Sequence, residues 1–118
     1  SGWTAAEQMR FLDNIPKERT AAQLAALNDA LGLSETGNNE VLFLWLELAL
    51  ANRYQPAVPQ AEVFLSEIGR AKFVRPLFAV LWDQGDWGRP IAKRIYAETR
   101  DGYHAVTRAG VDRLMAAD

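Results

Sequence analysis

Two cations stand two positions apart in the segment Gly69-Arg70-Ala71-Lys72-Phe73-Val74-Arg75-Pro76-Leu77-Phe78. Arginine offers a planar fork of donors that matches a carboxylate, and lysine adds a compact charge. Side by side, the two suit a small anion. The backbone decides whether they can share one. Inside an α-helix, residues two apart project about 200° apart; in extended backbone they point the same way. Pro76 has no amide N–H and pushes Arg75 away from helical angles. The following helix is therefore expected to begin near Val74, with Pro76 in its first turn. Arg70 and Lys72 then fall in a tight non-helical corner after Gly69, facing one anion together. Arg75 adds a third cation, and no carboxylate lies between Gly69 and Trp82. A solvated cationic face is the plainer reading of that pattern.

Other chemistry is sparse. The chain has one histidine, His104, and no cysteine. A catalytic zinc takes about three protein ligands, so no metal or other cofactor is expected within this chain. No H-E-x-x-H, G-x-S-x-G, P-loop or G-x-G-x-x-G pattern occurs. Ser1, Ser34 and Ser66 lie in no nucleophile motif. His104 reads as a packing or capping residue ahead of a helix starting at Thr107, and Asp83 with Asp86 as a solvated pair in a turn. Taken alone, the chain does not read as an enzyme.

The 118 residues fit one domain, with 49% apolar and 24% charged side chains. The net charge of −2 is uneven: residues 1–68 carry −5 and residues 69–118 carry +3. Nothing in that balance favours nucleic acid. The longest apolar run, Val41 to Ala51, is interrupted by Glu47 and is too short for a bilayer, which needs about 20 residues. Membrane partners are therefore not expected. The lack of cysteine and of a visible signal segment suits the cytoplasm. The opening Ser1-Gly2-Trp3, without an initiator Met, is read as an excised piece of something longer.

Positioning falls to helices, because no segment alternates as a half-buried strand would. The first is expected over Thr4 to Asn14, with Thr4 and Glu7 as a capping box, and Pro16 stops it. The second begins at Thr20 with Gln23 as box partner, carries Leu24, Leu27 and Leu31 on one face, and ends at Gly32. A third, capped by Asn38 or Asn39, runs to about Asn52 and is apolar on nearly every side, so it should be central to the core. A fourth covers about Ala57 to Ile68 with Val63, Phe64 and Ile68 inward. The fifth spans Val74 to Asp83, the sixth Gly88 to Arg100, and the seventh starts at Thr107. Trp3 and Trp87 sit at the edges of these stripes and mark a candidate surface toward another domain. The expected fold is all-α: one helical domain over 1–118, its seven helices in antiparallel pairs as an α-solenoid.

The run from Asn38 to Leu77 resembles the C-terminal helical domain of leukotriene A(4) hydrolase and related zinc aminopeptidases. The matching pieces are Asn39-Glu40 with Phe43 and Trp45, Gly69-Arg70-Ala71-Lys72-Phe73, and Arg75-Pro76-Leu77-Phe78. Tyr103-His104-Ala105-Val106-Thr107 is similar to the segment before that family's last helix, where Pro commonly stands in place of Ala105. The resemblance implies an α-solenoid that closes one side of an active-site cleft in a larger multidomain aminopeptidase. It implies zinc in the parent's catalytic domain, and that domain and an N-terminal domain as partners. It also implies that Arg70 and Lys72 hold the free carboxylate of a short peptide substrate, with Arg75 structural. The alternative is an independent α-solenoid module that binds acidic or phosphorylated peptides through Arg70, Lys72 and Arg75.

Overall fold

The computed structural model describes residues 2–116, and among them every regular element is helical. Seven α-helices follow one another: α1 Ala5–Asn14, α2 Ala21–Leu31, α3 Asn39–Ala51, α4 Val58–Glu67, α5 Ala71–Asp83, α6 Gly85–Thr99 and α7 Ala105–Ala116. Short 3-10 turns at Leu33–Glu35, Gln55–Ala57 and Arg100–Gly102 join some of them. The chain divides into two compact units, 1–57 and 58–118.

In the first unit, local chemistry sets the helix ends as the sequence predicts. Thr4 and Glu7 form a reciprocal capping box on α1, and Thr20 and Gln23 form another on α2. Gly32 ends α2 at φ 62°, a left-handed angle that glycine adopts without a Cβ penalty. Asn38 Oδ1 accepts from the amides of Glu40 and Val41 and starts α3. Along α3, Val41, Trp45, Leu46, Leu48, Ala49 and Leu50 are buried. Leu12 of α1 and Leu24 of α2 are buried in the same unit. Asn52 fastens the α1–α2 connection to the end of α3. Its Oδ1 accepts from Arg19 N at 2.8 Å, and its Nδ2 donates to the carbonyls of Lys17 at 2.7 Å and Leu48 at 2.9 Å. Lys17 Nζ donates to the Leu12 carbonyl at 2.9 Å, where a cation suits the helix C-terminus.

In the second unit, α5 packs against both α6 and α7, and α4 against α6. Phe73, Val74, Leu77, Phe78, Leu81 and Trp82 form the buried stripe of α5. Phe78, Tyr96 and Tyr103 make a ring cluster beside it, and Phe64 meets Phe73 edge-on at 5.8 Å. Arg94 joins α6 to α4 through Glu62 at 2.7 Å.

Three expectations are corrected here. Val63 faces outward at 54% exposure and Ile68 is only half-buried, whereas Phe64 is inward as expected, together with Val58, Ala61 and Leu65. The fifth helix begins at Ala71, not Val74, and holds Pro76 in its interior. The sixth begins at Gly85, not Gly88: Gln84 alone separates it from α5, and Gly85 turns the corner at φ 56°. Gly88 lies where the two helices approach most tightly, since a Cβ there would overlap the Leu81 carbonyl.

Candidate anion site at the start of α5

The corner between α4 and α5 is held from the residues that open α7. The Tyr103 hydroxyl donates to the Leu65 carbonyl at 2.6 Å, and the Thr107 hydroxyl reaches the Gly69 carbonyl at 3.4 Å. Burial pushes the Tyr103 phenol above its ordinary pKa, so it stays a donor through the physiological range. Tyr96, beside it in the ring cluster, is pushed up to about 12 by burial and by its bond to Asp112 at 2.7 Å.

Arg70 occupies the N-cap position of α5 with extended angles, φ −71° and ψ 127°. Its carbonyl accepts from the amides of Phe73 and Val74, both at 3.0 Å. Lys72 is the second residue of the helix itself, so the expectation of a wholly non-helical corner fails for it. The helical wheel still does not separate the two cations, because Arg70 precedes the helix. Both lie over one ring: the Lys72 ammonium is 4.8 Å and the Arg70 guanidinium 6.0 Å from the centroid of Phe73. Such contacts are favourable when the cation stands over the ring face. Phe73 itself is 4% exposed, whereas both cations are exposed.

This arrangement runs against the usual charge preference. The N-terminus of a helix carries a partial positive charge and favours acids. In α5 no side chain caps it and no acidic residue lies in its first turn; two cations stand there instead. Among the described residues, no carboxylate forms an ion pair with Arg70. Arg70 and Lys72 thus bring two positive charges to an exposed helix N-terminus.

Arg75 is not part of this cluster. Its side chain lies across Gly110 of α7, with Nε buried. His104 is exposed and immediately precedes α7, whose first residue is Ala105 and not Thr107. Its carbonyl accepts from the Arg108 amide, so its place is at the cap and not in the core. Ala105 is the first helical residue, a position where proline is well tolerated. Asp83 and Asp86 are both exposed. Sequence analysis gave Phe73 no part in the site; a ring next to Lys72 and three residues after Arg70 was the signal for its place beneath both cations.

Among the described residues, no three His, Cys, Asp or Glu side chains gather where they could hold a metal ion. The donor set of these described residues therefore does not fit a zinc centre. No helix of the described residues is long and apolar enough to cross a membrane.

Comparison with known proteins agrees with this architecture. The family model described as leukotriene A4 hydrolase, C-terminal, matches residues 3–115. Leucine aminopeptidase 2 of Pyricularia oryzae is 31% identical over 115 residues, covering 95% of this chain and 18% of that protein. The Neurospora crassa leucine aminopeptidase 2 is 31% identical over 116 residues, covering 96% and 17%. That of Aspergillus niger is 34% identical over 107 residues, covering 91% and 16%. The chain thus spans less than a fifth of the length of these curated relatives. A match along nearly the whole chain, on an all-helical fold, shows that it belongs to the leukotriene A4 hydrolase C-terminal domain family.

Proposed function

We propose that this domain serves a longer aminopeptidase, where Arg70 and Lys72 hold the free carboxylate of a short peptide substrate at one side of the active-site cleft. One observation carries the reading: two cations sit over a single buried ring, at a helix end where charge preference alone would place acids. A local arrangement that opposes stability points to function. The relatives of this chain are named aminopeptidases and extend far beyond it. The expected partners are the catalytic and N-terminal parts of such a protein. Zinc, the metal of the proposed parent, would polarise the scissile carbonyl from ligands outside these residues.

In this reading Arg70 supplies directional hydrogen bonds and Lys72 a point charge. Anchoring the far end of the peptide fixes where its first bond lies, so remote binding energy is converted into orientation. The test is kinetic. In the longer enzyme, Arg70→Ala should lower kcat/KM on tripeptides by about 10–100-fold, the equivalent of one charge-assisted hydrogen bond. Lys72→Ala should lose less. A tripeptide amide, which has no terminal carboxylate, should be insensitive to both. Unchanged tripeptide kinetics in Arg70→Ala, or equal losses on the amide, would refute the assignment. The isolated chain should bind a labelled tripeptide no tighter than about 1 mM. Tight, salt-sensitive binding of an acidic peptide by the isolated chain would favour an independent binding module instead.

A further inference from the structure

The backbone that carries Arg70 is tied to residues far along the chain. Helix α4 ends at Glu67, so the Leu65 carbonyl is one of the last four, which a helix leaves without an amide partner of its own. The Tyr103 hydroxyl supplies the donor at 2.6 Å, across 38 residues of sequence. Its ring is held in turn, stacked on Tyr96 at 6.4 Å and edge-on to Phe78 at 6.5 Å. The same ring lies alongside Gly69, where a Cβ would meet Tyr103 Cδ1 at 4.0 Å. Thr107 adds a longer contact, from its hydroxyl to the Gly69 carbonyl at 3.4 Å. A threonine within a helix can turn its hydroxyl back to the carbonyl four residues before it, as Thr99 does to Ile95 at 3.0 Å. Thr107 reaches out of its helix instead, although it is as buried as Thr99.

These contacts bear on one residue. The Gly69 carbonyl and the Arg70 amide share a single peptide plane, so holding that carbonyl fixes the backbone on the N-terminal side of Arg70. On the other side, the Arg70 carbonyl accepts from the amides of Phe73 and Val74, both at 3.0 Å. Arg70 is therefore pinned from both sides at φ −71° and ψ 127°. Its side chain is exposed, and among the described residues no carboxylate pairs with it. Its direction is set by the pinned backbone and by the ring of Phe73. We infer that Tyr103, assisted by Thr107, is a positioning residue that aims Arg70 at the substrate carboxylate without touching the substrate. The inference rests on the proposed carboxylate grip and adds the side chains that set it. A guanidinium aimed in advance spends less of its binding energy on ordering itself, and more on orienting the peptide.

The test is made in the longer enzyme, with a tripeptide and its amide as substrates. Tyr103→Phe keeps the ring and removes the hydroxyl. It should lower kcat/KM on the tripeptide by about 3–10-fold, the net worth of one neutral hydrogen bond. Thr107→Val should lose less, and Thr107→Ser, which keeps the hydroxyl, should restore the parent value. The amide, with no terminal carboxylate, should respond to none of these variants. In an Arg70→Ala background, Tyr103→Phe should cost nothing more, because a residue that acts through Arg70 then has nothing to aim. Equal losses on tripeptide and amide, or a Tyr103→Phe loss that adds in full to that of Arg70→Ala, would mark the hydroxyl as merely structural and overturn the proposal. Arg70→Ala separates the two ideas. If it lowers tripeptide turnover and neither hydroxyl variant does, the grip stands and the positioning role falls; if it changes nothing, both fall. Should Tyr103→Phe fail to fold, Thr107→Val against Thr107→Ser decides.

Discussion

Gly88 is where the second unit has the least room, and Gly88→Ala tests how rigid the α5–α6 corner is. A Cβ at 88 would overlap the Leu81 carbonyl oxygen, stand 2.8 Å from the Leu81 carbonyl carbon, and stand 2.9 Å from Gln84 Cβ. Two effects oppose one another. Alanine is the better helix former by about 1 kcal/mol, which favours the variant. Against this, ordinary contact needs roughly 3.5 Å between such atoms, so the helices must separate by about 1 Å or more. The obstacle is backbone and cannot rotate aside. It belongs to the last turn of α5, and only Gln84 and the left-handed Gly85 connect that turn to α6. Opening the corner also loosens Leu81, Trp82, Ala92 and Ile95, all buried. Overpacking costs about 1–3 kcal/mol in general, and the upper end applies when backbone must move. The net expectation is a loss of about 2 kcal/mol, or roughly 8 °C in Tm for a chain of this length. Thermal and urea denaturation followed by circular dichroism measure it. Ala97→Gly, at an exposed site of the same helix, isolates the propensity effect and should cost about 1 kcal/mol. A Gly88→Ala protein as stable as the parent, or more so, would show that propensity wins and that the corner yields freely.

Two further expectations concern the first unit. Asn52→Ala removes three hydrogen bonds and frees the Lys17–Arg19 connection from the end of α3; at about 0.5–1.5 kcal/mol each, urea unfolding should show a loss of roughly 2–3 kcal/mol. Glu47 is the half-buried acid of α3, and burial raises its pKa more than nearby Lys17 lowers it. The folded state therefore holds the proton more tightly than the unfolded chain, so ionisation of Glu47 weakens folding progressively as pH rises from the unfolded-state pKa through the folded-state one. Glu47→Gln should stabilise by about 0.5 kcal/mol at pH 7, and the gain should shrink as pH falls through the ordinary carboxylate range. A gain that is independent of pH would remove ionisation as its cause.

Helix ends in the first unit were readable because each depends on residues close in sequence. Thr4 with Glu7, Thr20 with Gln23, Asn38 and Gly32 all act within a few residues of the end they define. The face of α4 was less readable: Val63 and Phe64 are adjacent and equally apolar, and only the elements around them decide which turns inward. The Asn52 bonds reach back more than thirty residues, and no local pattern signals such a pin. Arg75 on Gly110 is the same case, since two residues on different helices meet only after the fold exists.

Pro76 shows how such a local rule is overruled and why Arg70 and Lys72 still come together. A proline inside a helix costs about 3 kcal/mol, through a lost amide bond and a clash of its ring with the carbonyl four residues back. A helix starting at Val74 would avoid much of that. It would also release Phe73 from the helical register in which it is buried to 4% exposure. Burying such a ring is worth about 1.5–3 kcal/mol, which offsets most of the cost of the proline. Winding Phe73 into the helix places its ring under the ammonium of Lys72, and the extended N-cap brings the guanidinium of Arg70 to the same ring. The two cations therefore meet because an aromatic residue gathers them, not because the backbone between them is extended. It follows that Phe73→Leu, which keeps an apolar side chain at the buried position, should leave the helix in place while loosening the proposed grip on a carboxylate.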